Sequence, residues 1–369
     1  MTITTISSDA LTRALHLRDL SDPLQGPHAM QQIVELIHEA LASLWRCQRL
    51  LYRGSPLVPV EDNYDRLGYP HEGIVRDARY TRYVTAKMML RAHTSAMIPG
   101  LLRGLSVGPP EDILLICPGL VYRRDCIDRL HSAEPHHLDL WRISMSNLTL
   151  ADLEEMVRIV VNVALPDYKY RTVPSAHPYT SNGLQIDVAV GDDWVEIGEC
   201  GLASAEVIRA AGLQATGLAM GLGLDRILMI RKSINDIRIL RSDDPRVQRQ
   251  MQDLDPYIPV SNQPAMRRDL SIAVDEELTT EELGDKIRQA SPEYAAQLES
   301  VDIISETAYS ELPAEARARM GMSECQKNVL LRLVIRDPVV TLTSHEANEI
   351  RNAVYRALHQ GNRMELAGD

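Results

Sequence analysis

A chain of 369 residues with 45% hydrophobic content can bury a substantial core, most simply in two domains, and its formal charge of −12 argues against a broad, nonspecific grip on nucleic acid while leaving room for a local basic groove. The five cysteines, Cys47, Cys117, Cys126, Cys200 and Cys325, form no Cys-x-x-Cys pair, which speaks against a zinc knuckle or disulfide framework and fits a reducing, cytoplasmic setting. The first residues mix Arg13 and Arg18 with Asp9, Asp19 and Asp22 rather than forming an apolar signal core, and no run is long enough to span a membrane.

In chain order, Ile33, Val34, Ile37, Leu41 and Leu44 recur at helical spacing and predict an amphipathic helix over Met30 to Leu44. Strand-like runs follow at Asp112 to Cys117, Gly119 to Tyr122 and Leu184 to Val190, with shorter ones at Trp194 to Ile197 and Leu218 to Gly223. Thr149 with Asp152 reads as a capping box opening a helix through Val163. Strands outnumber long helices without strict βαβ alternation, so the expected fold class is α+β with an antiparallel-rich core. Three prolines between Asp253 and Pro264 mark a linker, giving domains at 1–254 and 264–369 joined by 255–263. Beyond it come a strand around Leu270, Ile272 and Val274, a helix over Thr280 to Ala290, strands at Val301 to Ile304 and Val329 to Ile335, and a helix capped by Thr343 and Glu346. With a final short strand at Met364 to Leu366, that order is the ferredoxin-like split pattern.

One compositional value is anomalous: the chain has no phenylalanine but 13 tyrosines, where ordinary usage would supply roughly a dozen phenylalanines.

Between Gly119 and Trp141, a strand, a charged turn and a second strand would hold Arg123, Asp125, His131, His137 and Asp139 in one compact group able to grip a phosphate and an amine together. Arg123 could bind a phosphate bidentately while Asp125 holds an adenine amine or a metal, or the two could form a surface ion pair. In Gly221-Leu-Gly-Leu-Asp-Arg226 two glycines let backbone approach a ligand and present Arg226, or simply make a strand-to-helix turn. His93 and Ser95 offer neutral hydrogen-bonding groups, or belong to a satisfied loop. His131, His136 and His137 lack helical metal-ligand spacing and no cysteine joins them, so no metal site is expected there. Cys126, beside Arg124, reads as a semi-buried small residue or a reactive thiol.

The order Leu90-Arg-Ala-His-Thr-Ser95, Val121-Tyr-Arg-Arg-Asp125, His177-Pro-Tyr-Thr180, Trp194-Val-Glu-Ile-Gly-Glu-Cys-Gly201, Gly221-Leu-Gly-Leu-Asp-Arg226 and Asp236-Ile-Arg238 resembles the catalytic subunit of class II phenylalanyl-tRNA synthetases. Pro264 to Asp275 and Arg336 to Thr343 resemble the ferredoxin-fold anticodon-binding module that ends the single-chain, organellar type. The resemblance implies a class II antiparallel-sheet core with a C-terminal ferredoxin-like domain. It also implies ATP and Mg²⁺ as cofactors, an amino acid and tRNA as partners, no β subunit, and a monomer or homodimer. It makes Arg123 and Arg226 the catalytic arginines on the α- and γ-phosphates, with Asp125 and His131 at ATP. His93, Ser95, His137, Asp139, His177, Tyr179, Glu196 and Met220 fall at the amino-acid site. Residues 264–369 carry 12 basic and 19 acidic side chains, net −7, so tRNA contact there must be local, through Arg267 and Arg268.

The family writes Phe-His-Gln-x-Glu where this chain has Pro135-His136-His137-Leu138-Asp139, and Phe-Pro-Phe-Thr where it has His177-Pro178-Tyr179-Thr180. Asp139 is one methylene shorter than glutamate, so it should meet an ammonium through water, a displaced ligand or His137. A purge of phenylalanine codons would account for Tyr64, Pro135, His177, Tyr179 and Met220 but not for His137 or Asp139. The expected function is ATP-dependent activation of an aromatic amino acid, phenylalanine or a more polar analogue, and its transfer to tRNA. The alternatives are an amino-acid ligase of a specialised pathway and a non-catalytic regulatory paralogue.

Overall fold

The computed structural model describes residues 4–260 and 263–364. The chain divides into two units. The first takes residues up to Arg123, Glu134–Ile234 and Arg249–Tyr257, and the second takes Arg124–Ala133, Asn235–Gln248 and Ile258 onward.

Nine strands lie in the first unit: β1 Gln48–Leu51, β2 Leu57–Pro59, β3 Met88–Leu90, β4 Asp112–Leu120, β5 His136–Ser144, β6 Tyr170–Pro174, β7 Thr180–Val190, β8 Asp193–Ala203 and β9 Thr216–Gly223. Seven form one sheet in the order β1-β4-β5-β9-β8-β7-β6, while β2 and β3 pair separately. All neighbours in the large sheet are antiparallel except β1 and β4. The two strand runs expected at Asp112 to Tyr122 are one strand ending at Leu120, buried from Ile113 onward because it lies inside the sheet.

Side chains alternate across each strand, and that period sorts the core. Ile113, Leu115 and Cys117 of β4 join Trp141, Ile143 and Ala219 in one apolar cluster. Leu138, Leu140, Leu218 and Met220 have the opposite phase and are all buried. The helix over Ala29–Trp45 packs against the helix over Leu150–Ala164. Arg142, in phase with Leu140, lies over the Trp45 ring at 4.4 Å, which marks this as the helix-covered face. The Asp152 carboxylate accepts from the Thr149 N–H at 2.7 Å, completing the capping box.

The second unit contains β10 Met266–Asp275, β11 Leu298–Ala308 and β12 Gln326–Ile335 in the antiparallel order β10-β12-β11. Helices over Thr280–Ala290 and Ser344–Leu358 cover it, each opened by a capping box. Leu270, Ile272, Val329, Leu331, Ile350 and Val354 are among the residues of their shared core. A short helix over Ala314–Met320 separates β11 from β12 and was not expected; only Met320 in it is buried, so it carries little apolar periodicity. The strand expected at Met364 to Leu366 lies largely outside the described residues.

Candidate active site

Strand phase collects the site. His137, Asp139 and Trp141 share one face of β5, and across β9 they meet Gly223, Gly221 and Ala219. On β8, Glu199 pairs with Gly221 and therefore faces the same side. The floor opposite Asp139 is glycine: a Cβ on Gly221 would stand 3.9 Å from the carboxylate.

Asp139 is almost fully buried. Its Oδ2 accepts from the Thr94 hydroxyl and its Oδ1 from the Ser95 hydroxyl, both at 2.6 Å. Burial raises its pKa, and those hydrogen bonds together with the nearby Trp141 indole oppose the rise. No ion pair reaches it among the described residues. The two hydroxyls come from the loop of residues 93–95.

Aromatic rings surround the carboxylate. Tyr69 stacks on His93 with ring centroids 5.5 Å apart, Trp141 stacks on Tyr179 at 5.9 Å, and Tyr69 and Tyr179 stand 6.2 Å apart. His177 lies 6.1 Å from Tyr179, and its Nε2 is 2.6 Å from a Glu199 oxygen. Burial, followed by the charge of Asp139, raises both tyrosine phenols, so they stay neutral donors. Burial also pushes the His93 imidazole down to about 4, with Arg123 acting in the same direction. Its Nδ1 is buried without a hydrogen-bond partner. His137 is likewise held well below the ordinary histidine range by burial and then by Arg123.

The cations stand beside this box. Arg123 follows β4, its backbone bridging to Thr81, and Arg226 sits in the first turn of the helix over Leu224–Lys232, donating to the Glu196 carbonyl at 3.0 Å. Burial and then Glu199 raise the Glu196 carboxyl, while Arg226 and Arg123 pull it down, which groups these four side chains electrostatically. Two arginines, two acids and a buried carboxylate ringed by aromatics can hold an anion and an amine side by side.

Met220 is not brought here. Met220 pairs with Leu140, one residue out of phase with Asp139, and points to the helix-covered face; it cannot lie under a ligand that rests on Gly221. Asp125 and His131 belong to the second unit. There His131 Nδ1 is 2.7 Å from Asp128, and Arg288 donates to the Asp125 carbonyl at 2.5 Å. Cys126 joins His131 after all: donor atoms of Asp125, Cys126 and His131 lie within 4.8 Å of one another. Its thiol is pushed up to about 12 by burial and then by Asp128, opposite to the lowered pKa that activates a thiol. Arg268 is engaged within its own unit, donating to Asn348 at 2.7 Å and to the Ser344 hydroxyl at 2.8 Å, while Arg267 is exposed.

Tyr69, Thr94, Trp141 and Glu199 were not expected at the site. Thr94 and Glu199 lie inside quoted motifs, and strand phase relative to Gly221 would have selected Glu199. Tyr69, in a loop, carries no local signal.

Residues 24–251 match the model of the tRNA synthetases class II core domain (F), and residues 261–366 match the ferredoxin-fold anticodon binding domain. The chain belongs to the class II tRNA synthetases. Among curated relatives, it is 33% identical over 187 residues to the phenylalanine–tRNA ligase alpha subunit of Prochlorococcus marinus, covering 50% of this chain and 54% of that protein. It is 30% identical over 247 residues to the alpha subunit of a Sulfurihydrogenibium species, covering 62% and 70%. A probable mitochondrial phenylalanine–tRNA ligase of Drosophila melanogaster is 26% identical over 400 aligned positions, covering 90% and 84%. The chain thus spans about half the length of the first of these relatives.

Proposed function

We propose that this chain condenses an aromatic amino acid with ATP to form an aminoacyl adenylate and transfers the aminoacyl group to tRNA. The observation that carries the reading is Asp139. A buried carboxylate without a cationic partner is costly until a ligand supplies one, and an α-ammonium does so. The aromatic box beside it takes the ring, and the orphan His93 Nδ1 offers a hydrogen bond inside the same pocket.

The amino-acid carboxylate attacks the α-phosphorus and pyrophosphate leaves; a terminal ribose hydroxyl of tRNA then attacks the carbonyl and AMP leaves. Neither step needs a protein nucleophile. Arg123 and Arg226 align and neutralise two anions that otherwise repel. Glu196, raised by burial and by Glu199, has the hard-oxygen chemistry Mg²⁺ takes, and the ion would offset charge on the triphosphate. The second unit supplies the tRNA contact, with exposed Arg267 available for phosphate. The five free cysteines suit a reducing compartment, the cytoplasm.

His177, Tyr179 and Glu199 make the side-chain end of the pocket more polar than a phenylalanine ring requires, so the substrate is phenylalanine or a hydroxylated relative. ATP–pyrophosphate exchange over the aromatic amino acids, followed by tRNA charging with the preferred one, tests the reading. Exchange with none of them would overturn it.

A further inference from the structure

His136 opens β5 fully buried, and its contacts fix its proton. The Leu20 backbone N–H donates to Nε2 at 3.0 Å. An amide nitrogen only donates, so Nε2 is bare and the hydrogen of the neutral ring sits on Nδ1. Nδ1 faces Asp225 Oδ1 at 3.0 Å and donates to it. The backbone N–H of His136 donates to the second oxygen of the same carboxylate. One residue of β5 therefore grips both oxygens of Asp225.

Asp225 is buried in the first turn of the helix over Leu224–Lys232, immediately before Arg226. The next residue of β5, His137, pairs with Gly223, the last residue before that helix. The ladder thus fixes where the helix begins. The His136–Asp225 contact fixes the rotation of its first turn, and with it the direction in which Arg226 leaves the backbone.

Resting on the adenylation reading above, we propose that His136 is a positioning residue for Arg226, setting the arginine's grip on ATP through Asp225. The contact joins the strand that carries the amine-binding Asp139 to the helix that carries the phosphate-binding arginine, so one imidazole registers two substrates against each other. A purely structural histidine would instead serve to hold the segment around Leu20.

Two conservative variants of the full chain separate these roles. His136→Asn keeps a donor where Nδ1 stands and loses the Leu20 contact; His136→Gln keeps an acceptor where Nε2 stands and loses the Asp225 contact. Calorimetric binding of ATP should weaken by about tenfold or more in His136→Gln and by less than about threefold in His136→Asn, as expected for loss of a charge-assisted hydrogen bond. In ATP–pyrophosphate exchange with phenylalanine, His136→Gln should raise the KM for ATP while the KM for phenylalanine stays within about threefold. Asp225→Asn, which removes the charge at nearly constant volume, should weaken ATP binding as His136→Gln does. The proposal is overturned if His136→Gln and Asp225→Asn bind ATP as the wild type does, if both substrates and the melting temperature shift alike in every variant, or if the wild type binds no ATP. Absent exchange alongside the predicted split in ATP binding would remove the adenylation reading and keep the positioning role.

Discussion

The Ser95 hydroxyl donates to Asp139 at 2.6 Å, and that bond decides what the carboxylate has left to offer. With Thr94 on its other oxygen, Asp139 keeps lone pairs on both oxygens but loses freedom to turn. A ligand amine meets a fixed acceptor.

Asp139→Asn should trade function for stability. Burial raises the Asp139 pKa, so the folded state holds its proton to higher pH than the unfolded chain. The stability this confers is full below the unfolded pKa and is lost as pH rises through the folded one. The neutral amide escapes that loss. The variant should melt above the wild type near neutral pH, with the gap closing on acidification, while its KM for the amino acid rises by about tenfold or more. Thermal melts across pH with exchange kinetics check both halves, and a variant less stable than wild type at neutral pH contradicts the argument.

His93 predicts an acid limb. Its pKa falls from the ordinary 6.5 to about 4 on folding, mainly through burial, so the folded state refuses a proton that the unfolded state accepts. Stability present above the unfolded pKa is lost as pH falls through that window, by at most about 3 kcal/mol. Urea melts of His93→Gln should show a flatter limb over the same range. An unchanged limb would place His93 in solvent.

His177→Phe tests the polar end of the pocket. It removes the pair with Glu199 at 2.6 Å and sets an apolar ring beside Tyr179. The kcat/KM for phenylalanine relative to tyrosine should rise by about tenfold. An unmoved ratio means that His177 does not face the substrate side chain.

Lys232 is fully buried and donates to the Asp253 carbonyl at 2.8 Å, to Asp253 Oδ1 at 3.1 Å and to the Asp255 carbonyl at 2.5 Å. Lys232→Met keeps the volume but strands two carbonyls. A loss of about 2–4 kcal/mol in denaturant unfolding is expected. A change within a few tenths of a kcal/mol would mean that water reaches these carbonyls.

In the second unit, Arg267 and Arg268 should separate. Arg267→Ala should weaken tRNA binding and lower the salt slope by about one. Arg268→Ala should cost about 1–2 kcal/mol of stability through the lost bonds to Asn348 and Ser344. Equal salt slopes for wild type and Arg267→Ala would move the tRNA contact elsewhere.

What could be read from the chain beforehand followed from local physics. Thr149 and Asp152, and Thr343 and Glu346, mark helix starts because capping is settled within four residues. The arginines and Asp139 stand out as charges beside apolar runs. Met220 was misplaced because a single step along a strand reverses its face, and that phase is set by pairing with β5 rather than by its own neighbours. Tyr69 and the His136–Asp225 contact depend on residues far apart in sequence, and no periodicity announces them. The helix over Ala314–Met320 has too little buried surface to leave a pattern.

The glycines beneath the site are not interchangeable. At Gly221 an added methyl would meet only the far edge of Asp139 at 3.9 Å, whereas at Gly201, which pairs with Ala219 and so shares that phase, it would strike Thr180 at 2.7 Å. Pocket depth can therefore drift by single substitutions at one position and is locked at the other. A lineage or a designer seeking a smaller substrate has one door open and the next one shut.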